Sequence, residues 1–503
     1  MRIAFVAVVA TVTLAAAPAA AQTVADPALT VRPVVTSGGI LWHPSSFAFI
    51  GPNEQLVLEK EYGHVRRIIY GALQPETVLD LPVNVASERG LVGIAVHPEF
   101  DSNGYVYLYW TESSTGQDTD VVSEVVANRV TRYTWNGYVL ESPVEILRLP
   151  VTPGPNHDGG YMVFGPDGKL YVQTGDLNRN GKLQNYPNGP SPDSTSVILR
   201  VNDDGSAPPD NPFVTLGSSM SATFAYGIRN QFGMAFDPVT QRLWQTENGP
   251  VSYDELNAVE PGFNSGWEQL MGPDARDPQG VGDLWLPSPA AHYSDPEFSW
   301  LSPICATAVA FPDAGRFGAA YAGSVLVAGC NGGRIFRFQL NPARDGLALM
   351  EPGLLDLVAD NEAEMAGLVW ASGFYGITDM KVGAEGDLYV LSWGGFFRIQ
   401  PVPASTSAGH PAPEALLANA PNPFAARTSI RFSTPDAGRV TIDVFDAAGR
   451  NVRTVLDAVL PEGAHEIEWD GRDAEGRALS AGIYHYRVSG PGGAQTRRAV
   501  LLH

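Results

Sequence analysis

The run PGPNHDGG, residues 153–160, sets His157 among glycines and prolines, where an imidazole can meet a ligand without crowding. Asp176 stands nineteen residues on, at the end of the next apolar stretch. An imidazole oriented by a carboxylate is a general base with a held tautomer and a raised pKa. The same histidine can instead be a turn residue that caps local backbone, and spacing alone leaves both readings open. Asp176 also opens DLNRNGKL, which imitates the start of a calcium loop, with Asn178, Asn180 and Gly181 in place. The twelfth position is Pro187 rather than glutamate, so the bidentate ligand is missing and an EF-hand is excluded. Cys305 and Cys330 are the only cysteines. Two cysteines cannot make a four-ligand zinc site; they read as a disulfide in an oxidising compartment, or as two buried thiols.

Residues of this kind need a scaffold, and the sequence repeats one. An apolar stretch, a turn built from Pro, Asp, Asn or Gly, and a strand recur six times, usually followed by a strand carrying arginine. The copies include FAFIGPNEQLVL, IAVHPEFDSNGYVYLYW, YMVFGPDGKLYVQTGD and DMKVGAEGDLYVLSWGG. Their anchors Leu56, Val106, Tyr171, Trp244, Leu326 and Tyr389 lie about 50 to 82 residues apart, which suits four-stranded blades with variable insertions. The reading is all-β: a six-bladed β-propeller over about residues 28–401. Residues 402–414, PVPASTSAGHPAP-like in composition, read as a linker. Residues 415–503 alternate apolar and polar positions between glycine turns, as a small immunoglobulin-like β-sandwich does. In a propeller, ligands sit over the central channel on loops between strands. That draws attention to SERGLVG from Ser87, PGPNHDGG, and the pair YGIRNQFG and ENGPVSYDELN.

Composition narrows the partners. The 503 residues carry 54 acidic against 32 basic side chains, a formal charge of -22. Such a surface repels phosphate backbones, so no nucleic-acid partner is expected. Hydrophobic residues make up 44% and charged ones 17%, which excludes wholesale disorder. Met1-Arg2, the apolar run Ile3 to Leu14 and Ala19-Ala20-Ala21 form a signal-peptide pattern over residues 1–21, so the chain is expected to be exported. No later run is apolar for the roughly 18 residues a transmembrane helix needs.

Taken together, ERGLVGIAVHPEFDSNGYVYLYW, HDGGYMVFGPDGKLYVQTGD, ILRVNDDGSAPPDNPF, YGIRNQFGMAFDP and ENGPVSYDELNAVEPGFNSGW resemble the soluble quinoprotein glucose/sorbosone and aldose sugar dehydrogenases. The resemblance runs over most of residues 40–400 and implies a six-bladed propeller with pyrroloquinoline quinone (PQQ) over its channel and calcium beside it. It implies oxidation of an aldose to its lactone, with electrons passing on to an acceptor the sequence does not identify. By motif, His157 matches the base, Asp176 its orienting carboxylate, and Arg229 and Asn230 the cofactor-contacting pair. Gly249 and Pro250 match the calcium-binding carbonyls, and Glu88 stands near the sugar. The sequence departs from the pattern at four places. Asn331 replaces a lysine, Gly376 and Thr378 replace two arginines, and Ser265 replaces a tyrosine. Arg334, three residues beyond Asn331, is the nearby cation that can stand in. Losing quinone binding would leave a propeller that binds a saccharide or surface partner, or a calcium-dependent lactonase.

The C-terminal NAPNPF, DVFDAAGRNVRTV, WDGRDAEGRALSAGIYHYRV and RRAVLL resemble type IX secretion sorting domains and, equally, the Ig-like domain of flagellar hook-capping proteins. A sorting role implies secretion or surface display by a Gram-negative cell, with the type IX machinery as partner.

Overall fold

The structure is a computed structural model that describes residues 21–35, 39–276, 280–402, 418–447, 449–491 and 493–502. The expected signal peptide and linker fall almost wholly outside these residues. The described residues are nearly all β, and their strands form eight sheets.

Six sheets follow one another along the propeller region. Each begins with an inner strand: Pro44–Gly51, Leu91–Val96, Met162–Phe164, Gly233–Phe236, Ala306–Ala310 and Ile377–Val382. Each continues outward through antiparallel neighbours. The six repeat anchors all fall on the second strand of their sheets.

Alternation with period two gives every central strand two apolar faces, and each face serves a different neighbour. Leu56 and Leu58 pack toward the second sheet, while Val57 between them packs toward the sixth. Six hydrophobic cores result, joining first to second, second to third, third to fourth, fourth to fifth, fifth to sixth, and sixth back to first. The arrangement is a closed, propeller-like ring. Its seam is made by Leu29–Pro33, which pairs antiparallel with Gly395–Pro401 and completes the sixth sheet. Thr23–Val24, ahead of residue 28, pairs with the outer strand Val369–Ser372 of the fifth sheet.

The recurrent arginine on the third strand has a structural reason. Arg67 donates to Glu54 at 2.5 Å, Arg200 to Asp167 at 2.9 Å and Arg398 to Asp387 at 2.6 Å, so each clamps the turn or strand that precedes it.

Contacts between inner strands, one of them across the ring, fix their level. Ser45 Oγ donates to the Leu91 carbonyl at 2.7 Å. Buried Asp379 accepts from Ser46 Oγ at 2.6 Å and from Tyr161 OH, of the opposite sheet, at 3.4 Å. Lys381 Nζ pairs with the same carboxylate and donates to the Phe47 carbonyl at 2.6 Å. The loops that enter the inner strands therefore open together on one face.

The last two sheets form the C-terminal domain: Ala418–Ala420, Thr428–Thr434 and Gly463–Trp469 against Gly438–Phe445, Asn451–Leu460, Gly482–Gly490 and Gly493–Leu501. Its core includes Trp469, Tyr486 and Ile442, and Ile69 of the first propeller sheet packs into it. Gln74 seals the contact with two hydrogen bonds, donating to the Val459 carbonyl at 3.1 Å and accepting from Val459 N at 3.0 Å.

Candidate functional site

Three successive entry loops converge on one carboxylate oxygen. Glu88 Oε2 accepts from the His157 backbone N–H at 2.8 Å and from Asn230 Nδ2 at 2.9 Å. Glu88 thus ties the approaches to the second, third and fourth sheets at the channel mouth.

His157 sits on that tie with left-handed backbone, φ 61°, and its side chain is largely buried. A non-glycine residue in this region is a local cost that surrounding contacts must hold in place. Nδ1 lies 2.6 Å from Asp176 Oδ1. The carboxylate selects the tautomer with the proton on Nδ1, which leaves Nε2 as the basic nitrogen. Asp176 is itself fixed, accepting from Asn178 N at 2.6 Å on Oδ1 and from Trp267 Nε1 at 2.7 Å on Oδ2. Gly175 makes the approach possible. A Cβ there would stand 2.3 Å from the His157 carbonyl oxygen and 2.9 Å from that of Arg229.

Arg229 is positioned from both ends. Its N–H donates to Glu247 Oε1 at 2.7 Å, and Nη1 donates to the carbonyls of Asn248 at 2.9 Å and Gly249 at 3.2 Å. The guanidinium lies over the Trp267 ring, 5.3 Å from its centroid. Burial lowers its pKa from the ordinary arginine value, against the pull of Asp176, Glu88 and Glu247. Burial raises Glu247 well above the ordinary carboxyl range, with the charge of Glu255 adding to it. Ser265, where the family pattern has tyrosine, donates to Glu247 Oε2 at 2.6 Å.

Beneath the histidine lies a second buried pair. Asp158 accepts from Asn128 Nδ2 at 2.9 Å and stands 3.9 Å from Arg89 Nε. Burial pushes the Asp158 carboxyl up to about 7, although Asn128 and Arg89 pull it down. Several buried polar atoms around this site have no protein partner: Arg229 Nε, Asn230 Oδ1, Asn248 Oδ1, Asp158 Oδ2 and Arg89 Nε. Buried polar groups are normally satisfied, so these mark positions that solvent or a bound group completes.

The structure therefore gathers Glu88, His157, Asp176, Arg229, Asn230 and Gly249 into one cluster, with Pro250 following on an exposed turn. Asn331 lies on another turn, and Arg334 opens the strand that follows it, Arg334–Gln339. Asn331 Nδ2 donates to the Pro303 carbonyl at 3.3 Å, and Arg334 is held by Glu362 through bonds of 2.7 and 3.2 Å. That pairing leaves Arg334 committed to a carboxylate of this chain. Cys305 and Cys330 are bridged, stapling the entry loop of the fifth sheet to its hairpin. Gly376 has φ +60°, and a Cβ there would meet the Trp393 ring at 2.4 Å. Thr378 Oγ1 donates to the Leu391 carbonyl at 3.4 Å.

Trp267, Glu247, Arg89 and Asp158 are site residues that spacing did not single out. Trp267 lies 91 residues beyond its partner Asp176 and follows an inserted two-residue strand, Phe263–Asn264, too short for any periodic signal. Arg89 was visible only as an arginine inside SERGLVG.

Residues 41–393 match the glucose/sorbosone dehydrogenase family model. The chain belongs to that family. Residues 421–493 match the FlgD Ig-like domain. Quinoprotein glucose dehydrogenase B of Acinetobacter calcoaceticus is 34% identical over 244 residues, 44% of this chain and 49% of that protein. The chain thus spans about half the length of that relative. Aldose sugar dehydrogenase YliI of Escherichia coli is 24% identical over 364 residues, covering 70% of this chain and 87% of its own. The PQQ-bound aldose sugar dehydrogenase of Streptomyces coelicolor superposes with a TM-score of 0.55 at 26% identity, covering 74% of this chain and 99% of its own.

Proposed function

We propose that this family member is an exported oxidoreductase that oxidises an aldose at C1 to the lactone, using PQQ and calcium. The six sheets are the blades of a six-bladed propeller, and the FlgD-like domain serves as a type IX sorting module. One observation carries the catalytic reading: His157 is held by Asp176 at 2.6 Å with Nε2 left free, on a loop pinned by Glu88 and Asn230.

The residues fit the reactive half of the cofactor. Unpartnered Arg229 Nε, Asn230 Oδ1 and Asn248 Oδ1 offer a donor and acceptors to a polar ring, and the carbonyls of Gly249 and Pro250 are hard oxygens suited to calcium. When bound, PQQ supplies the two-electron oxidant that receives hydride from C1, and calcium polarises its reactive carbonyl.

The chain's own part is proton handling and orientation. His157 Nε2 takes the C1 hydroxyl proton, and Asp176 stabilises the imidazolium that results. Glu88 accepts a hydrogen bond from a neighbouring sugar hydroxyl while holding the His157 backbone in register. Arg229, spaced by Trp267 and anchored on Glu247, places positive charge where negative charge develops.

Calorimetric titration of PQQ into the full chain, with and without calcium, tests this reading, followed by dye reduction with a panel of aldoses. Calcium-dependent binding in the micromolar range with turnover supports it. No binding at high quinone concentration retires the dehydrogenase and favours the binding-propeller reading.

A further inference from the structure

The opposite side of the mouth carries a different chemistry. Tyr375 and Trp393 stand on the entry loop and the hairpin of the sixth sheet, 70% and 53% exposed, with ring centroids 5.9 Å apart in an edge-to-face pair. Their turns are locked to each other. Trp393 N donates to the Gly376 carbonyl and Gly394 N to the Tyr375 carbonyl, both at 3.1 Å. The indole lies so close on Gly376 that no side chain fits there. These rings are therefore presented rigidly to solvent, at little further entropic cost on binding. On the loop that enters the adjacent first sheet, Trp42 is 56% exposed.

Their place in the ring is fixed by the Asp379 node. Tyr161, Ser46 and Asp379 meet there, and His157, Trp42 and Tyr375 each precede one of them by four residues. The aromatic side and the histidine side flank the same opening. Tyr375 and Trp393 differ from the singly exposed Tyr138 in being paired and held by the backbone, which makes a small apolar patch of the kind that serves recognition.

The geometry points to a saccharide subsite: Tyr375, Trp393 and Trp42 form a platform for further pyranose rings of a neutral oligosaccharide whose reducing end reaches His157. Rests on the aldose reading of the same mouth, this assignment follows from charge and shape. Asn331, Gly376 and Thr378 take the places of the family's cations, Arg334 and Lys381 are each paired with a carboxylate of this chain, and the net charge of -22 disfavours anionic glycans. A pyranose offers C–H groups of positive polarity along its face, which match the negative faces of aromatic rings.

Calorimetry on the full chain, without cofactor, compares glucose with maltohexaose, cellohexaose and N-acetylchitohexaose. At least one hexasaccharide should bind about tenfold or more tightly than the monosaccharide. Tyr375→Ala and Trp393→Ala should each remove most of that difference, and Trp393→Phe should restore it, which separates stacking from a folding defect. Equal affinity for glucose and all three hexasaccharides, or hexasaccharide binding unaltered in the Tyr375→Ala/Trp393→Ala double variant, overturns the platform. Ring-dependent binding without any sugar oxidation keeps the platform and retires the dehydrogenase. Oxidation with no dependence on chain length or on these rings does the reverse.

Discussion

The two sides of the channel mouth were built by different rules. Toward the second, third and fourth sheets, ionisable residues are tied together through side chain and backbone: Glu88, His157, Asp176, Arg229 and Glu247 form a continuous hydrogen-bonded cluster, in which Asp176 N donates to the Arg229 carbonyl at 2.8 Å. Toward the fifth and sixth sheets the charges are closed into the pairs Arg334–Glu362 and Lys381–Asp379, and Asn331, Gly376 and Thr378 stand beside a disulfide and two exposed aromatic rings. In the proposed mechanism the proton-handling residues stay together on one side, while the other lacks the cations of the family pattern.

The sharpest way to break this comparison is His157→Ala. Turnover should fall by about 10³-fold, while the midpoint of thermal unfolding moves little, because the ring contributes chemistry rather than core. An active variant would remove the histidine side from the mechanism. On the other side, replacing Cys305 and Cys330 by serine opens a bridge between residues 25 apart. Chemical denaturation should register a loss of about 3 kcal/mol, with little change in the pH profile of turnover. A loss confined to activity would mean that the staple serves the site rather than the fold.

A charge can also be returned to the neutral side. Asn331→Lys should tighten PQQ about tenfold by titration, in keeping with about 1.5–3 kcal/mol for a charge-assisted hydrogen bond. No gain would mean that this turn does not face the cofactor. Gly376 offers no such option, since the Trp393 ring fills the space.

A further effect concerns pH. Burial holds Asp158 and Glu297 up to about 7, so below that pH the folded chain keeps protons that the unfolded chain has already released. Stability should therefore fall as pH rises from about 5 to 8. Asp158→Asn should flatten the slope of unfolding midpoint against pH, and an unchanged slope would show that Asp158 titrates normally.

Much of the scaffold was legible because it repeats. Leu56, Val106, Tyr171, Trp244, Leu326 and Tyr389 occupy equivalent second strands, and a period-two pattern survives wherever a strand is long enough to show it. The pairing of His157 with Asp176 was legible for a related reason, since a histidine ahead of an inner strand and an aspartate after the next strand return to the same end of a hairpin. The grip of Trp267 on Asp176 was not, because it depends on an insertion whose strand has two residues and no pattern. The arginine of the third strand was visible as a recurrence, but its reason appears only when Arg67, Arg200 and Arg398 are seen against their carboxylates. Gly376 read as a lost cation; in three dimensions it is also the bed on which an indole rests.

The seam of the ring sets an order on folding. Leu29–Pro33 finds its partner in Gly395–Pro401, at the far end of the propeller region. The inner strands of every sheet pair through local hairpins as the chain emerges, but this strand, like Thr23–Val24, must wait, with its backbone donors and acceptors unpaired, until nearly the whole ring exists. Closure is the last event and the one most open to interception. A strand from another molecule, arriving first, would find the same vacancy.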